Sequence, residues 1–137
     1  MISRFSILLT FILSSLIGLS QSLSYSYETD TNKADSFFEA KNHDIAIQYY
    51  TKAFLENNDL GKSGHRYKAA ACYAILKRID NAFIQLYKIS GAGKFSNFDL
   101  ISKDMNFINL HSDKRWQEIL SKVKENKKKQ VGLILDN

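Results

Sequence analysis

From Ala34 onward the apolar residues recur at helical spacing, with Ala34, Phe37, Phe38 and Ala40 on one face. A polar break at Lys41-Asn42-His43 follows, and a second set begins: Ile45, Ala46, Tyr49, Tyr50, Ala53 and Phe54. So short a break suits an antiparallel helix hairpin. Asn42 or Asp44 is placed to cap the second helix by accepting from its first-turn amides. After Asn57-Asn58-Asp59-Leu60-Gly61 the arrangement recurs. Tyr67, Ala70, Ala71, Tyr73, Ala74 and Ile75 form one helix, Lys77 to Asn81 a turn, and Ala82, Phe83, Leu86, Tyr87 and Ile89 the next. Superposing Ala46 on Ala82 also brings Ala34 onto Ala70, Phe37 onto Tyr73, Tyr50 onto Leu86 and Ala53 onto Ile89, a repeat of 82 − 46 = 36 residues. A last helix starts at Ser112 or Asp113, and its Trp116, Ile119, Leu120 and Val123 are expected to close the open end of the stack. The expected fold is all-α: stacked antiparallel helix hairpins with a C-terminal capping helix.

The start of the chain has a different pattern. Met1 to Arg4 is short and positive, and Phe5 to Leu19 is an apolar, serine and threonine run without a charge. About fifteen residues at 1.5 Å each cover only about 22 Å, short of a hydrocarbon core of roughly 30 Å, so the run reads as a removable export signal. Small residues at Ser20 and Ser22 place the cut after Ser22, and no cysteine follows to carry a lipid. The expected organisation is a signal peptide at 1–22, a flexible polar lead at 23–31, the helical domain at 32–126, and a basic then apolar tail at 127–137. The exported protein is expected in the periplasm or outside the cell, without stable membrane insertion.

A small residue, an aromatic three places on, an alanine nine beyond that, an aromatic four later and an alanine three after that is the spacing filled by Ala34, Phe37, Ala46, Tyr50 and Ala53. In this the chain resembles the tetratricopeptide repeat family. The second copy, Ala70, Tyr73, Ala82, Leu86 and Ile89, follows it more loosely, and Asn58 stands where a proline usually ends the repeat, in a chain with no proline. Ala71-Cys72-Tyr73, followed by Asp104 to Leu120 with its Asp113-Lys114-Arg115-Trp116 stretch, is similar to the closing unit of bacterial proteins of this kind. The resemblance implies a right-handed superhelical stack whose first helices line a concave, partner-binding groove. Carried over position by position, that groove is lined by Asp35, Phe38 and Glu39 from the first repeat and by Tyr67, Ala71, Ala74 and Ile75 from the second. Phe38 and Tyr67 are then expected to be exposed anchors for a peptide, with Asp35 or Glu39 holding a basic group.

Chemistry-bearing patterns are sparse. The 137 residues leave room for one modest core and little for a deep cleft between lobes. His43, His65 and His111 lie in or beside expected turns with no second ligand at helical spacing, so no metal or cofactor is expected. Gly91-Ala92-Gly93-Lys94 lacks the leading glycine and the hydroxyl residue of a phosphate loop and reads as a helix stop, with Gly91 at the C′ position. The lone cysteine, Cys72, sits among Ala69, Ala70, Ala71 and Ala74 and is expected to be a buried hydrophobe. The net charge of +5 is concentrated at Lys122, Lys124, Lys127, Lys128 and Lys129. No Arg-rich or aromatic-interleaved strip accompanies these lysines, so no nucleic-acid partner is expected and a solvated helix end is the simpler reading. These features point to a non-enzymatic module that holds a protein or peptide. The alternative is the front part of a larger exported protein, because Gln130 to Asn137 turns apolar again.

Overall fold

The computed structural model describes residues 25–135, and the expected signal peptide and its cleavage point lie outside them. The described chain is all-α: a stack of six α-helices and one 3-10 helix, without strands among the described residues. Helix α1 covers 25–39, α2 His43–Glu56, α3 Ser63–Ile75, α4 Ile79–Ser90 and α5 Phe98–Lys103. The 3-10 helix Met105–Leu110 follows, and α6, Lys114–Leu135, ends the stack. Helix α3 is central and packs on α2, α4 and the 3-10 helix, while α6 lies against α4 and α5.

The period read from the sequence is built into both core and backbone. Ala34, Ala46, Tyr50 and Ala53, and their counterparts Ala70, Ala82, Leu86 and Ile89, are all buried. Small side chains at 34, 46, 70 and 82 let the paired helices approach closely, and the large residues fill the space beside them. The two hairpin turns close identically. The Asn42 N–H donates to Phe37 O and the Lys41 N–H to Phe38 O; one period later Arg78 donates to Tyr73 O and Lys77 to Ala74 O. Each is a Schellman closure with a lysine in the left-handed conformation, Lys41 at φ 58° and Lys77 at φ 58°. Surface ion pairs also recur: Asp44 with Arg78 at 2.6 Å and Asp80 with Arg115 at 2.8 Å. Exposed pairs of this kind are screened by solvent and contribute little to stability.

The closing unit docks through its aromatics. Trp116, 3% exposed, packs on Phe107 at 5.6 Å between ring centroids and on His111 at 4.9 Å. Asp113 caps α6 by accepting from the Arg115 N–H at 3.0 Å. The Arg115 guanidinium and backbone N–H hold its carboxyl down at about 2.

Four expectations are corrected. The supposed flexible lead is instead the beginning of α1, with Tyr27, Asp30 and Thr31 buried. Polar atoms hold it, which is why hydropathy hid it. The Tyr27 hydroxyl accepts from the Lys62 N–H at 2.9 Å and shares a hydrogen bond with His65 Nδ1 at 2.8 Å. Asp30 pairs with Lys52 at 2.8 Å, and Lys62 with Glu28 at 2.6 Å. At the other end, 127–135 is not a separate tail but a continuation of α6, supported by the Lys129–Glu125 pair one turn apart and by Ser96 donating to Gln130. Asn42 occupies the N-cap position of α2 but makes no side-chain cap bond, and Asp44 is spent on Arg78. The helix stop after α4 holds, with Gly91 as C-cap at φ −83°, but the left-handed residue is Lys94. Gly93 is required there because a Cβ would lie 2.8 Å from the Ile89 carbonyl oxygen and 2.9 Å from Ser63 Oγ.

His65 links α3 to α1 and gives a pH-dependent term. Burial pushes its pKa below the usual value, against the pull of Asp35 and Glu28 and with the help of Lys62 and Lys68. The unfolded chain therefore takes up this proton at a higher pH than the folded one, and His65's contribution is lost as pH falls through about 6.5. Urea midpoints at pH 7 and pH 5.5 are expected to fall more for the wild type than for His65→Phe, in a window above carboxylate titration.

Candidate functional site

The seven residues assigned to the concave face separate into two groups, with Ile75 at their edge. Asp35, Phe38 and Glu39, on the last two turns of α1, reach solvent: the first two are half-buried and Glu39 is exposed. Asp35 accepts a short hydrogen bond from the Tyr50 hydroxyl and pairs with Lys68 of α3 at 2.8 Å. Burial pushes the Asp35 carboxyl up, but Lys68 and the Tyr50 hydroxyl outweigh it, and the carboxyl stays below its usual value. Tyr50 is shifted the opposite way by its own burial and by Asp35, so it remains a neutral donor. The Phe38 ring lies edge-on to His43 at 5.8 Å, and the Lys68 ammonium stands over it at 5.8 Å.

Tyr67, Ala71 and Ala74 belong to the interior side of α3. Ala71 and Ala74 are fully buried, and the Asn109 side chain donates to the Ala74 carbonyl at 2.9 Å. Tyr67 is half-buried, stacked on Phe95 at 5.5 Å and edge-on to Phe107 at 5.2 Å. Its hydroxyl donates to Asp104 Oδ2 at 2.7 Å, while Asp104 Oδ1 accepts from the Asn106 N–H. The expectation of Tyr67 as a free anchor is therefore corrected: the 3-10 helix covers the face of α3 that carries it. Ile75 is half-buried at the end of α3. The resemblance put Tyr67, Ala71 and Ala74 together on α3 but gave no sign that Met105–Leu110 would lie over them.

Lys68, not singled out in the sequence, and His43, weighed there only as a metal ligand, complete the surviving cluster. α3 carries a cation on each side of Tyr67, Arg66 and Lys68, and spacing alone does not tell which of them joins the surface cluster. His43 also approaches Cys72 Sγ at 3.6 Å, and burial pushes that thiol up to about 12, which makes it a poor nucleophile at neutral pH. Among the described residues no three His, Cys, Asp or Glu side chains are grouped to share a metal ion.

Elsewhere, a cleft of about 540 Å³ opens between the end of α4, the following loop and α6. Lys94, Lys122, Lys129, Asn126 and Leu133 line it. Among the described residues no helix is long and apolar enough to cross a membrane. Comparison with protein-family models, with curated proteins and with solved structures finds no match to the chain.

Proposed function

We propose that the chain is an exported, non-enzymatic interaction module of tetratricopeptide type, which holds a peptide or protein partner in the periplasm or outside the cell. The observation that carries this reading is the recurrence at one period of the same core positions, the same Schellman turns and similar ion pairs between hairpins. Such a unit stacks only on its neighbours, and here α1 keeps Asp35, Phe38 and Glu39 reaching solvent for a partner. The uncharged run from Phe5 to Leu19 supports export.

The partner surface in this reading is the solvent-reaching part of the expected groove: Asp35, Phe38 and Glu39, joined by Lys68. A half-buried ring flanked by one carboxylate and one ammonium suits an extended peptide carrying an apolar side chain and a charge, with the ring as the energetic anchor. A photo-crosslinking residue at Glu39 is expected to give a discrete adduct in cells, and the same residue at the exposed Ile84 of α4 none. Phe38→Ala is expected to weaken that adduct about fivefold or more. Adducts confined to position 84, or unaffected by Phe38→Ala, would overturn the assignment.

A further inference from the structure

From Lys122 onward α6 separates two kinds of side chain along its axis rather than around it, and among the residues whose burial is described Val123 is its last buried one. Lys122, Lys124, Lys127, Lys128 and Lys129 come first and are exposed. Glu125, paired with Lys122 and Lys129, is the single acidic residue between 122 and 135. Lys127 reaches Asp99, and Lys94 from the loop after α4 adds a further cation at the same cleft. The apolar residues come after the lysines: Val131 is 48% exposed and Leu135 78%. Side-chain bonds tie the helix to the body at Asn126, which donates to Ser90 O and Phe95 O, and again at Gln130. At 1.5 Å per residue the lysine band spans about 10 Å of helix and the apolar end about 6 Å.

We infer that this end of α6 docks peripherally on an anionic lipid surface, with its apolar tip entering the headgroup and acyl boundary and the lysine band, with Lys94, facing the phosphates. The dimensions fit, because interfacial helices bury their apolar part about 5–10 Å deep while lysine heads remain at headgroup level. Charge selects the occupant. A second copy would bring two lysine bands together and be repelled. An apolar protein surface would give the lysine band no compensation beyond Glu125 and Asp99, whereas an anionic leaflet attracts all five ammonium groups. Nucleic acid would satisfy the lysines but leave Val131 and Leu135 in water. The docking is reversible attachment of a helix end and does not involve a span.

The test places an environment-sensitive fluorophore at Leu135→Cys in the full chain; buried Cys72 is protected from the label. Because the label reports only its own surroundings, binding through the run at 5–19 does not mimic the result. Vesicles of phosphatidylcholine containing phosphatidylglycerol are expected to shift the emission to the blue, and pure phosphatidylcholine vesicles to leave it unchanged. Lys127→Gln, Lys128→Gln and Lys129→Gln together are expected to weaken the anionic-vesicle effect by about tenfold or more, with helicity unchanged. No shift on anionic vesicles, an equal shift on both kinds, or full retention in the triple variant would overturn the inference. So would an equal shift produced by a soluble oligonucleotide or polyglutamate, which would assign the lysines to a polyanion in solution.

Discussion

Trp116→Ala is expected to lower the unfolding free energy by about 3–5 kcal/mol, the range for emptying a buried large aromatic site. The indole is almost wholly enclosed and sits between Phe107 and His111, so it joins α6 to the 3-10 helix. Removing it opens a void that Ile119 and Val123, already buried on the same helix, have no freedom to fill. Urea unfolding followed by circular dichroism checks this. A loss below about 1 kcal/mol would show that the closing unit docks without its tryptophan. Because the site carries packing and no partner contact, the folded fraction of the variant should keep the adduct at Glu39.

Tyr67→Ala is expected to cost about 3 kcal/mol, for a different combination of reasons. The ring fills the space between Phe95 and Phe107, and its hydroxyl satisfies one oxygen of Asp104 while the other oxygen starts the 3-10 helix. Tyr67→Phe keeps the ring and removes only the hydrogen bond, so its cost should be near 1 kcal/mol. The difference between the two variants separates packing from hydrogen bonding. If Tyr67→Ala left the unfolding midpoint unchanged but abolished the Glu39 adduct, Tyr67 would return to the partner surface and the 3-10 helix would be a movable cover.

The core was legible where side chains are apolar and evenly spaced. Ala34, Ala46, Tyr50, Ala70, Ala82 and Leu86 are in the core because a 3.6-residue period with alternating small and large residues has one way to pack. The beginning of α1 was not legible, because Tyr27, Asp30 and Thr31 are buried through hydrogen bonds and an ion pair, which no hydropathy pattern reveals. The extension of α6 past residue 126 was missed because its lysines resemble a solvated tail, although Lys and Gln are good helix formers. For the candidate site, positions carried over from the resemblance gave no information on which of them a later segment would cover. Whether a face of α3 meets solvent or Phe107 depends on a contact with residues more than thirty positions away, and local periodicity carries no information about such pairs.

The two lysine-closed turns also shape how quickly this chain reaches its native state. Each joins helices that are consecutive along the polypeptide, so most of the packing forms by closing loops of a few residues, which takes on the order of tens of nanoseconds per closure. The search entropy for distant partners is small except where α1 meets α3, the 3-10 helix meets α3 and α6 meets α4. The chain would thus hide its alanine and aromatic faces early in folding, before a neighbouring unfolded chain could compete for them.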